Sequence, residues 1–326
     1  MDSFYDVHSA REWLLKYTAQ EIVPMTRYLW SIGKDDTDWL TLYAIEEYPE
    51  PHCWRLIKNV GDEKQEAVFN LHGIIVDKDL PPITVAPTNT KSCAFLRQQI
   101  TLSGLNTSEF EYAVDKARNV YNKFRRFFPE KQLLPWPELK CTISEGRTLT
   151  LGNRYFTRRS EAPTLQPIPF EPYVDPNRIL AGCVNARLFH SADNTVNYYR
   201  RYKGEDGELI HDIIPPQNFR IGDIVDTQFC FVVYRMRTGE HTLRLMLYSI
   251  TLVDGKLSDE YDLKKMKAET QTTIQQKPLK RKTGYEVVAK SGDGRKAQLR
   301  QSGPENTDGG IPTKGIDDMT IEDTTG

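Results

Sequence analysis

The residues best suited to chemistry in this chain are cations and rings that alternate. Gly182 to His190 and Thr195 to Lys203 read as two strands joined by a turn at Ala192-Asp193-Asn194. Successive side chains of a strand face opposite ways, so Asn185, Arg187, Phe189, Asn197, Tyr199, Arg201 and Lys203 share one face. Bases stack on rings at about 1–3 kcal/mol each while Arg and Lys neutralise phosphates. Arg187, Phe189, Tyr199, Arg201 and Lys203 are therefore the expected contacts to single-stranded nucleic acid. The same pattern also fits a solvated strand whose rings pair across the ladder.

Other chemistries lack their residues. The six histidines, His8, His52, His72, His190, His211 and His241, show no HxH, HExxH or paired Cys/His spacing, so no metal ligand is assigned. His190 and His211 could meet only through tertiary contacts. There is no GxSxG elbow, Walker loop or dinucleotide fingerprint. Asp35-Asp36 and Glu46-Glu47 are adjacent pairs whose members point apart. No catalytic residue and no cofactor is assigned, and the expectation is a non-enzymatic binding protein. An assembly subunit, packing on itself or on a protein partner, is the alternative.

Charge is nearly balanced, with 43 Lys and Arg against 45 Asp and Glu, which excludes a globally basic nucleic-acid coat. Its distribution is uneven. Lys264 to Arg300 is basic, while Asp317, Asp318, Glu322 and Asp323 make the end acidic. Lys277, Lys280, Arg281 and Lys282 fit a nuclear-import signal and equally a solubilising run.

The five cysteines, Cys53, Cys93, Cys141, Cys183 and Cys230, are widely spaced, and we expect neither a disulfide framework nor a metal knuckle. With no signal-peptide pattern and no apolar run long enough for a membrane helix, a soluble intracellular protein follows, with the nucleus open to it and no membrane partner.

These residues need elements to position them. Hydrophobic residues are 39% of the chain, enough for a core and too many for overall disorder. Residues 1–150 read as a mixed α+β domain. Its first helix follows a Ser9/Glu12 capping box, and a long helix covers residues 108–128 behind Ser108 and Glu111, with Phe110, Val114, Ala117, Tyr121 and Phe124 in one stripe. Residues 151–177 are a proline-rich strap whose Phe170 and Tyr173 pack across a surface. Residues 178–256 form an antiparallel β module of five strands, a small barrel or sandwich of OB-like or SH3-like type. Its last hairpin, apolar on both faces, turns at Thr238-Gly239 and sets Phe231 opposite Met246 and Val233 opposite Arg244. Residues 257–326 read as a disordered tail, basic and then acidic. The fold class is thus α+β with a small β module.

FRIGDIVDTQFCFVV followed by LRLMLYSITLVD, with DNTVNYYRRYK upstream, resembles a group of uncharacterised proteins of mushroom-forming fungi, mainly over residues 181–254. That resemblance implies no catalytic or binding residue.

Overall fold

Two long apolar strands, Ile224–Arg235 and His241–Asp254, organise the rest. The computed structural model describes residues 3–19, 28–32, 39–136 and 146–274. In chain order the elements are α1 (Val7–Ala19), β1 (Tyr43–Pro49), β2 (His52–Val60), β3 (Glu63–Glu66), β4 (Phe69–Asp79), α2 (Thr90–Cys93), β5 (Arg97–Ser103) and α3 (Ser108–Phe127). They continue with β6 (Thr148–Arg154), β7 (Thr157–Arg158), α4 (Ile179–Cys183), β8 (Leu188–Phe189), β9 (Asn197–Lys203), β10 (Leu209–Ile213), β11 (Ile224–Arg235), β12 (His241–Asp254) and α5 (Lys256–Ile274).

The class is α+β, dominated by one mostly antiparallel sheet of ten strands in the order β1-β2-β11-β4-β5-β6-β12-β9-β10, with β3 beside β2. β11 pairs with both β4 and β12, and β12 meets β6, so the pairings β11-β4-β5-β6-β12 return to β11. Among the described residues no helix is long and apolar enough to cross a membrane.

Burial on both faces explains why β11 and β12 are apolar at nearly every position. One face of β11 gives Phe229, Phe231 and Val233 to the main core, beside Leu243, Leu245 and Leu247 of β12. The other gives Cys230 and Val232 to a smaller cluster with Cys53 and Met246. The register differs by one residue from the expected one: Phe231 lies opposite Leu245 and Val233 opposite Leu243. The connection explains the slip. Met236 N–H donates to Glu240 O at 2.7 Å and Gly239 N–H to Met236 O at 3.0 Å, so the turn spans five residues rather than two.

The expected boundary between residues 1–150 and 178–256 is replaced by shared strand pairing. β11 hydrogen-bonds to β2 and β4, and Met1–Gln276 forms one unit. Side chains reinforce the join: Arg55 of β2 donates to Glu66 at 3.0 Å, to Asp193 at 2.7 Å and to Tyr248 of β12 at 3.2 Å. The first expected strand of the module is also corrected. Residues 179–183 are helical and 192–194 a single tight 3-10 turn, while β8 pairs with β7 and β9 runs parallel to β12. Residues 151–158 of the expected strap belong largely to β6 and β7. Its Phe170 does pack down, stacked on His190 at 4.0 Å between ring centroids.

Helix α3 covers the sheet with Phe110, Ala113, Val114, Ala117, Val120 and Phe124 buried. A Cβ on Gly104 would lie 2.1 Å from that of Phe110, so glycine is what lets this helix seat so closely. Its N-cap is Thr107, and Glu111 pairs with Arg147 at 3.1 Å instead of closing a capping box. Helix α1 is capped by Asp6, which accepts from Ser9 N–H at 2.9 Å. The tail expectation fails at its start, because Lys256–Ile274 is a helix, with Ser258 donating to Asp223. Its remainder, including Lys277, Lys280, Arg281 and Lys282, lies outside the described residues.

Cys93 and Cys183 form a disulfide, with Cα atoms 6.0 Å apart, joining α2 to α4. The spacing of the cysteines leads us to expect no disulfide framework, and one disulfide forms. Ninety positions separate the two in sequence, so only the tertiary contact between two short helices reveals the pair. Cys53 and Cys230 are free and buried, and Cys141 is outside the described residues.

Candidate nucleic-acid interface

The residues that alternation groups together do not form one surface. Phe189 is 2% exposed, with the Arg159 guanidinium 3.8 Å above its ring. Arg201 is buried and pairs with Asp226 at 3.5 Å, which in turn accepts from Tyr28 Oη at 2.7 Å. Tyr199 is half-buried beside His211, and Lys203 is exposed at the end of β9. Arg187 lines an open cavity. The physical reason is the replaced hairpin: once β8 pairs with β7 and β9 with β12, the two sets of alternating residues no longer share a face. His190 and His211 also separate, His190 lying 2.9 Å from the Tyr155 carbonyl and His211 standing opposite Arg201.

A different set of cations does converge. Arg97 of β5, Arg154 of β6, Arg158 of β7, Arg235 at the end of β11, Arg237 of the following turn and Arg244 of β12 line a groove of about 540 Å³. His52, Tyr234 and Met246 are also among its lining residues, and Glu161 is its acidic residue. A neighbouring cavity of about 690 Å³ adds Arg159 and Arg187. Ala94, Phe95, Arg158 and Arg237 line both, so the two form adjoining halves of one arginine-rich surface.

The strands force these charges together. Arg97 is directly opposite Arg154 in the β5–β6 ladder, a like-charge pairing that costs stability. Gly152 allows the close approach there, because a Cβ on it would sit 2.8 Å from that of Gln99. The single bridge between Met246 and Gly152 brings in β12, which carries Arg244 two residues earlier. Glu161 serves two guanidiniums, Arg154 at 2.8 Å and Arg158 at 3.1 Å. Arg97 has an arginine environment instead: partial burial lowers its pKa, and the charges of Arg244 and Arg154 lower it further.

Rings complete the surface. Arg154 lies 5.5 Å from the centroid of Tyr234, and Phe95 is 65% exposed. The backbone around Phe95 is fixed: Asn89 accepts from Ser92 N–H at 2.9 Å, Phe95 N–H donates to Ser92 O at 3.1 Å, and Tyr155 N–H donates to Leu96 O at 3.2 Å. The disulfide at Cys93 anchors the same turn. An arrangement of this kind can hold a chain of phosphates along guanidinium groups and offer a ring to whatever the phosphates carry.

Sequence reading missed Arg97, Arg154, Arg235, Arg237 and Arg244 because they come from four strands and a turn spread over almost 150 positions. One local trace exists, Arg235-Met236-Arg237 at a hairpin tip. Comparison with protein-family models and with curated proteins finds no match to this chain.

Proposed function

We propose that this chain is a binding protein that engages nucleic acid through the arginine groove rather than through the face of β9. The observation that carries the reading is the unbalanced charge. Arg97 and Arg154 stand opposite each other with Arg244 beside them, and the one carboxylate that lines the groove among the described residues is already shared. A strand ladder that sets like charges opposite each other gives up stability, and an incoming polyanion relieves it. On this reading the closed circuit of β4, β5, β6, β11 and β12 acts as a barrel built from strands of both halves of the chain, not the module within residues 178–256 that the sequence leads one to expect.

Fluorescence anisotropy of a labelled oligonucleotide tests this. Arg97→Ala with Arg244→Ala weakens binding, and the slope of log affinity against log salt becomes shallower by about 0.7 for each single-strand phosphate that is no longer neutralised. Unchanged affinity and slope reject the proposal.

The assembly reading draws on a separate feature. β10 ends the sheet, paired only with β9 among the described strands, and exposes Ile213 (64%) and, opposite the exposed Tyr202 (43%), Ile210 (38%). It requires a concentration-dependent dimer in sedimentation velocity that Ile213→Lys disrupts, and a clean monomer at high concentration rejects it.

A further inference from the structure

Phe95 has no role in the core. It is 65% exposed, on a turn held by hydrogen bonds and by the neighbouring Cys93–Cys183 disulfide, so its ring stands in solvent on a fixed mount. Large apolar side chains so placed are ordinary when isolated. This one is not isolated. It lines both cavities, together with Arg158 and Arg237, at the seam where the two arginine-lined halves adjoin.

Resting on the nucleic-acid reading above, we propose that Phe95 is the base-stacking platform that selects single strands over duplexes. A strand whose phosphates lie along both halves of the surface must cross this seam. There Arg158 and Arg237 supply positive charge on the path, and the ring offers an unpaired base a stacking partner. A base in a duplex is already stacked and paired on its own axis and cannot use the ring without being flipped out, which costs a few kcal/mol. Arginines alone would hold either form through its phosphates. The ring is what makes the difference between them. Its fixed mount matters as well, because a platform that is ordered before binding loses less conformational entropy when a base arrives.

The experiment uses two polyanions on the full chain: a short oligothymidylate, and inorganic polyphosphate, which has charge without bases. Duplex DNA of the same length is the third ligand. Phe95→Ala lowers affinity for the oligothymidylate by about 5- to 150-fold, the range that loss of one stacking ring produces. It leaves affinity for polyphosphate unchanged and removes the preference for single strand over duplex. Phe95→Leu, similar in volume but without a π-face, behaves as Phe95→Ala does, and Phe95→Trp retains binding. Equal loss for oligothymidylate and polyphosphate, or no loss for either, overturns the platform while leaving the groove as a polyanion site. Failure of the unaltered protein to bind any of the three ligands overturns the groove reading itself, and this proposal with it.

Discussion

Arg201 and Asp226 lie 3.5 Å apart, each side chain only 6% exposed, with the Arg201 guanidinium 5.2 Å from the centroid of Tyr17. A residue that the alternating pattern of β9 offers to a ligand is thus a buried structural cation. Removing one partner of such a pair leaves the other charged and uncompensated, which costs about 3–5 kcal/mol. Arg201→Ala is expected to lower stability by that amount in urea denaturation. Lys203→Ala, on the same strand but exposed, changes it by less than about 0.5 kcal/mol. Equal effects of the two would contradict this placement.

His72 stands opposite Asp226 in the β4–β11 ladder, 2.6 Å from Thr18 Oγ1 and ringed by Tyr17, Tyr28 and Trp30. Burial pushes its pKa from 6.5 down to about 4. Between those values the unfolded chain holds the proton and the folded one does not. This histidine's contribution is therefore fully present above pH 6.5 and is lost as pH falls toward 4, by about 3 kcal/mol. Asp226 acts in the opposite sense, since burial raises its pKa and its ionisation costs stability as pH rises above the usual carboxylate range. His72→Gln isolates the first effect. The difference in unfolding free energy between wild type and variant should change by about 3 kcal/mol between pH 6.5 and 4, and parallel curves would contradict the assignment.

The disulfide between Cys93 and Cys183 closes a loop across 90 positions that contains β5, α3, β6 and β7. Cross-links of that reach stabilise by restricting the unfolded chain, and losing one costs about 2–5 kcal/mol. Cys93→Ser with Cys183→Ser should lower the thermal midpoint by the same amount as treating the wild type with a reducing dithiol, and the dithiol should not lower the variant further. A reductant effect on the variant equal to that on the wild type would place the sensitivity elsewhere.

Gly152 stands opposite Gln99 in the β5–β6 ladder, where an added Cβ meets Gln99 at 2.8 Å and the Gln98 carbonyl at 3.0 Å. Gly152→Ala should destabilise by about 1–3 kcal/mol through crowding and also weaken oligonucleotide binding by displacing Arg97 from Arg154. Unchanged stability and affinity would show that the strands have room to part.

How much of this was legible in the sequence varies with how local the signal is. Helix α3 and the apolar character of β11 and β12 were readable because a stripe at helical spacing and burial on both faces leave marks within a few dozen residues. The one-residue slip between β11 and β12 depends on a turn in which Met236 and Glu240 pair, and Thr238-Gly239 alone does not specify it. Pairing of β11 with β2 and β4 joins residues 150 or more positions apart and has no local signature. The same limit hid the groove. Alternation was a sound guide to which residues of β9 share a face, but not to whether that face meets solvent or the Tyr28–Asp226 cluster.

Arginine footprinting with phenylglyoxal, in the presence and absence of a saturating oligonucleotide, tests the central claim most directly. Arg97, Arg237 and Arg244 should be protected, while the exposed Arg125 and Arg126 of α3 react at the same rate with and without ligand. Protection confined to arginines outside the groove, or no protection anywhere while the oligonucleotide stays bound, would contradict the assignment of this surface.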